Sequence, residues 1–174
     1  TNLVGKIAAT DYATMAAWRT ASGRDANSVT ADPQYASTTD LHIRTDVASP
    51  VNNVGAPIAG VTNDYDSDTR SAVPDIGADE TYNVTTAVVG SGSIGMSPVQ
   101  QAFNGGTSAT LTATPGDACQ EFTGWSGDAI GNTNPLAVVM NANKNITATF
   151  ATKTCTITAS SGAGGTIDPT GDVV

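Results

Sequence analysis

Residues 64–80, DYDSDTRSAVPDIGADE, gather Asp64, Asp66, Asp68, Asp75, Asp79 and Glu80 around a single cation, Arg70. Asp64, Asp66 and Asp68 have the D-x-D-x-D spacing of a calcium loop, and Asp75 stands where the twelfth ligand would be. Position six is Thr69, where such a loop wants Gly, and position twelve is Asp in place of the longer Glu. Two readings therefore stay open. Calcium is held by Asp64, Asp66, Asp68 and Asp75, or the aspartates accept main-chain N–H groups in successive turns. In the second reading Arg70 pairs with Asp66 or Asp75 inside a cap that also uses Asp79 and Glu80, a partly buried role that suits a guanidinium.

Other chemistry is thinly provided. Glycoside hydrolysis needs two carboxylates roughly 5–10 Å apart across a sugar-sized cleft, whereas these acids crowd into turns. No catalytic residue is assigned, and the chain is expected not to be an enzyme. His42 is the only histidine, so no histidine cluster is available; in DLHIR it reads as a strand-face residue bonded to its neighbours. No serine sits in a G-x-S-x-G elbow. GSGSIG lacks a following helix whose N-terminus could hold an anion, so it reads as a turn. Trp125 offers a carbohydrate-stacking face but reads first as a core plug, with Phe122 and Phe150 beside it.

Composition narrows the class. Three Lys and four Arg face 16 acids, for a formal net charge of −9, and 11 of the acids lie in residues 1–80. An acidic chain is a poor match for nucleic acid or an anionic membrane surface, and no apolar run approaches the roughly 20 residues of a membrane helix. Scarce lysine, abundant Thr, Ser, Asn and Gly, and short alternating runs suit a secreted β-protein. Cys119 and Cys155 are accordingly expected to form a disulfide, with two buried thiols as the alternative. The chain begins and ends in mid-pattern and reads as a processed product or a fragment.

The elements that must carry these residues are short. A helix is expected over 11–19, with Thr10 as its cap and Gly23 as its stop. Ser28–Thr30 and DLHIRT read as extended, the latter with Leu41 and Ile43 on one face. Residues 1–80 therefore look like the last rungs of a coiled sheet and its cap. Residues 81–152 form a small antiparallel β-domain. Ala109, Leu111 and Ala113, then Leu136, Val138 and Met140, then Ile146, Ala148 and Phe150 face inward, and NANKN is a tight turn. VTTAVVGSGSI (84–94) aligns without gaps on ITASSGAGGTI (157–167), so residues 153–174 read as the opening hairpin of a second copy.

Two resemblances follow from these blocks. AAWRTASGRDANSVTADPQY, DLHIRTDVASPVNNVG and DYDSDTR…PDIGADE resemble the C-terminal end of bacterial right-handed parallel β-helix proteins of the choice-of-anchor Q kind. GSGSIGMSP, GGTSATLTATP, EFTGWSGD and NKNITATF resemble the divergent B-repeat of internalins. The resemblances imply an all-β architecture, with terminal parallel β-helix rungs and cap over 1–80 and a β-grasp-like repeat over 81–152. They also imply a bacterial cell-surface or secreted setting, with the repeat as a structural or adhesion bead. The alternatives are the tail of a polysaccharide-acting β-helix enzyme and a subunit that polymerises head to tail by strand addition. Carbohydrate or other surface proteins are the expected partners, and calcium is the one cofactor suggested.

Overall fold

The computed structural model describes residues 4–168 and 171–173; over Ile157–Ala159 and Gly171–Val173 only the backbone is described. The chain opens with a small hairpin of β1 (Gly5–Ile7) and β2 (Thr10–Tyr12), followed by α1 (Met15–Ser22). The helix starts later than the spacing predicts because Asp11 and Tyr12 are drawn into the hairpin, where Asp11 pairs with Lys6. Thr14, not Thr10, is its cap: its hydroxyl accepts from Ala17 N, and Gly23 ends the helix in the left-handed conformation at φ 66°. The helix buries no residue; Trp18 covers Gly5 and meets Tyr12 edge-on.

From residue 24 to 80 the chain makes turns joined by isolated antiparallel bridges, Tyr35 with Ile43 and Asn63 with Thr69. The parallel rungs expected over 1–80 do not occur among the described residues. Ser28–Thr30 is not a strand, and Leu41 and Ile43 do not share a buried face: Leu41 is exposed and Ile43 is buried. The reason is local. Aspartate side chains intercept the N–H groups that a neighbouring strand would have taken. Asp40 accepts from His42 N, and Asp79 accepts from Ile43 N.

Residues 81–152 are where the regular strands concentrate. One sheet has the order β4 (Val84–Val89), β10 (Lys144–Thr152), β8 (Gln120–Gly127); a second has the order β5 (Gly92–Ser97), β7 (Ser108–Pro115), β9 (Leu136–Val139). The β3 (Thr81–Tyr82) and β6 (Phe103–Asn104) pair closes one end. Alternate residues of β7, β9 and β10 face inward as their period of two requires. Ala109, Leu111, Ala113, Val138, Ile146, Ala148 and Phe150 are buried together with Met140, Tyr82, Phe103 and Trp125. Leu136 and Phe122 pack on this core from partly exposed positions. Phe122 lies against both Trp125 and Phe150, and the Trp125 indole donates to Thr133 O. Trp125 is thus a core residue.

Three details differ from the sequence reading. The β4–β10 pair is parallel, and no helix crosses either sheet, so the repeat is neither purely antiparallel nor a helix-bearing grasp. NANKN carries the chain from one sheet to the other and is not a hairpin turn. The segment containing β4 and β5 is likewise a crossover between sheets, which forces it close to β10. A Cβ at Gly90 (φ 87°) would sit 2.2 Å from Phe150 O, and one at Gly92 would enter the Phe150 ring. In the segment expected to open a second copy, β11 (Ile157–Ala159) pairs antiparallel with β12 (Gly171–Val173), while residues 169 and 170 lie outside the described residues.

A disulfide joins Cys119, at the entry to β8, to Cys155, just beyond β10. Lys153 N also donates to Cys119 O at 2.9 Å, so the chain leaves the repeat fastened at two points. A non-reducing tryptic digest is expected to yield residues 71–144 covalently joined to 154–174, and reduction should separate them; free thiols at both positions would contradict the bridge. Closing a loop of 36 residues is worth about 3–4 kcal/mol on the chain-entropy account, so Cys155→Ser should lower the urea-unfolding free energy by up to that amount.

Candidate functional site

The acidic segment is built around carboxylates that do the work of missing strands. Asp64 accepts from the N–H groups of Asp66 and Asp68 through Oδ1 (2.9 and 2.8 Å) and from Glu80 N through Oδ2 (2.8 Å). Asp75, 2% exposed, accepts from Asn53 N, Thr81 N and the Thr81 hydroxyl. Glu80, with no exposed surface, accepts from Ser71 N and Asp75 N. All of these bonds except that from the Thr81 hydroxyl answer a main-chain donor, and an unanswered buried donor is costly. Arg70 supplies the compensating charge. It lies 3.5 Å from the Glu80 carboxylate and donates to Asp75 O and Gly77 O. Its partner is therefore Glu80, not the side chain of Asp66 or Asp75. Its Nε is buried without a partner.

The four aspartates of the calcium spacing do not converge. Asp64 turns into its own loop, and Asp75 anchors Asn53 and Thr81. Asp66 reaches out to His42 at 2.8 Å. Asp68 lies where a Cβ on Gly105 would go, and its carboxyl is pushed up by burial and then by Asp64, against a bond from Gly105 N–H. The correct spacing does not gather the ligands, because loop position six is a threonine and the sharp inward turn is not made. Ser67, at φ 74°, takes the left-handed conformation instead.

Main-chain carbonyls and an amide side chain couple this segment to the repeat. Gln101 N and Ala102 N donate to Thr45 O, the Tyr82 hydroxyl donates to Thr69 O, and Asn143 Nδ2 donates to Asn53 Oδ1. Burial, with Asp68 and Glu80 nearby, pushes the Tyr82 phenol up to about 12. Among the described residues, the acids placed in a structural cap (Asp75, Asp79 and Glu80) are buried with Thr81 at this seam.

One cluster faces solvent. His42 Nδ1 lies 2.5 Å from Asp40 Oδ1, and its Nε2 lies 2.8 Å from Asp66 Oδ2. Asp79 stands on the other side, 6% exposed, its Oδ2 taking the Ile43 N–H at 2.6 Å. Thr39, Leu41, Tyr65 and Ala78 complete a cavity of about 430 Å³. The hydrogen bonds to Asp40 and then Asp66 raise the His42 imidazole to about 9. Its bond to Asp40 holds that carboxyl below the usual range. Asp79 is pushed up by burial, partly offset by the Ile43 N–H and by His42. Both ring nitrogens are engaged by carboxylates, so the imidazole has no hydroxyl to activate. Sequence reasoning placed His42 beside its neighbours but missed Asp66 and Asp79. The signal within reach was Asp40, two residues earlier on the same side of an extended run.

The geometry sets two expectations. Asp75→Ala should cost about 3 kcal/mol of unfolding free energy, because two main-chain N–H groups and the Thr81 hydroxyl lose their acceptor together; chemical denaturation measures it. For His42, the folded value of about 9 lies above the ordinary 6.5. Its stabilising contribution is therefore complete below pH 6.5 and lost as pH rises through 9. With chelator present, the imidazole resonances of His42 should titrate near pH 9, and His42→Gln should flatten that part of the stability profile.

Among the described residues no helix is long and apolar enough to cross a membrane. No curated protein and no solved structure matches the chain. Residues 82–154, which span the two facing sheets and reach the residue before Cys155, match the family model of the divergent InlB B-repeat domain.

Proposed function

We propose that this chain is part of a bacterial cell-surface or secreted protein, in which the repeat is a non-catalytic spacer or adhesion bead. The observation that carries the reading is the B-repeat match over 82–154, on a unit whose exit is fastened by a disulfide. Several further features support it. The bridge suits an oxidising compartment. The acidic charge keeps the chain away from nucleic acid and anionic lipid. The preceding segment is bonded to the repeat through Thr45, Asn53, Thr69 and Asp68, so a pull along the chain would load hydrogen bonds and packed side chains together. Asp64, Asp75 and Glu80 are each taken up by main-chain donors, which leaves them poorly placed for acid–base work. Exposed Tyr65 beside Leu41 gives the repeat's neighbour a face suited to carbohydrate or to another surface protein.

The test has two parts. Membrane-impermeant amine labelling of intact producing cells should modify Lys144 or Lys153 without lysis; labelling only after lysis would defeat the extracellular reading. The purified chain, incubated with a panel of plant, fungal and bacterial polysaccharides, should release no new reducing ends, and steady release would overturn the non-catalytic assignment.

A further inference from the structure

We propose that His42, Asp66 and Asp79 form a binding site for a divalent cation of the zinc type, with Asp40 as the group that positions the imidazole. His42 Nε2 and a carboxylate oxygen from each aspartate lie within 4.8 Å of one another. Tetrahedral ligands about 2.1 Å from a common ion stand ~3.4 Å apart, so small side-chain adjustments bring the three donors to bonding distance. Once the ion displaces the proton that His42 carries between Asp40 and Asp66, two carboxylates and a neutral imidazole match its charge.

Three observations favour an ion over a mere acidic patch. Asp79 is buried, yet among the described residues neither a lysine nor an arginine is paired with it; its one described bond comes from a neutral N–H, His42 is the cationic group that acts on it, and the carboxylate lines the cavity. The imidazole is already oriented. Asp40 holds Nδ1, the arrangement in which an outer carboxylate fixes the tautomer and leaves Nε2 to ligate. The ligands also come from three separate stretches of chain, at 42, 66 and 79, that few strand pairings connect. An ion would cross-link them and leave the cavity side open for water or a partner's donor group. The nitrogen ligand excludes calcium as the preferred ion, since calcium takes oxygen, and two carboxylates with one imidazole suit zinc or its first-row neighbours. This site shares only Asp66 with the D-x-D-x-D spacing.

Isothermal titration of the 174-residue chain with Zn²⁺ at pH 7.5 should show one saturable site, undisturbed by millimolar Ca²⁺. His42→Gln and Asp79→Asn should each abolish it with the circular dichroism unchanged. Asp40→Asn, one shell out, should weaken it roughly 10–100-fold. Absence of saturable binding, displacement by Ca²⁺, or binding that survives His42→Gln would overturn the proposal. Should a variant fail to fold, Co²⁺ added to the unmodified chain decides. Paramagnetic broadening centred on residues 40–43, 64–66 and 78–79 supports the site, and broadening centred elsewhere refutes it.

Discussion

The irregular segment from Asp40 to Glu80 depends on carboxylates bonded to main-chain N–H groups. A turn-rich segment has few ladders, yet each buried N–H still needs an acceptor. Asp64, Asp75, Asp79 and Glu80 supply them, several through both oxygens. An ionised carboxylate is a stronger acceptor than a carbonyl and can serve two or three donors at once. The cost is desolvation of negative charge in a small volume. It is offset by the converging N–H dipoles and by Arg70 beside Glu80.

The same device joins the two halves of the molecule. Asp75 spans from Asn53 to Thr81, at the start of β3, and Asn53 in turn meets Asn143, which also takes the Asn83 N–H. Asp68 fills the space that Gly105 leaves open. The repeat is therefore not an isolated bead on this side. Its first strand pair is clamped by the acidic segment, while its far side is fastened through Cys119 and Cys155. A spacer that transmits load gains from having both entry and exit tied to its own core.

Legibility differed between the halves for a physical reason. In the repeat, Ala109, Leu111, Ala113, Ile146, Ala148 and Phe150 alternate strictly with polar residues, and a period of two leaves one way to bury them. The inward faces could be read directly, and the family's pattern lay on the same residues. Sheet membership could not, because alternation says which side a residue faces but not which strand lies beside it. β4 runs parallel to β10 through partners more than fifty residues apart, while β5 pairs with the nearer β7, and so β4 and β5 separate into different sheets. In residues 1–80 alternation is too short to set a register, and there the expected rungs gave way to side-chain-capped turns.

By itself, the sequence determined the composition-level facts and the local ones: an acidic, strand-rich chain, the inward residues of the repeat, two cysteines suited to a bridge, and a run of aspartates suited either to calcium or to turns. Tertiary structure alone decided where each carboxylate points. Asp64, Asp66 and Asp68 share a spacing, but one folds into its loop, one meets His42 and one packs on Gly105. Spacing fixes distance along the chain. The direction of a side chain in an irregular turn is fixed by what the rest of the fold brings within reach of it.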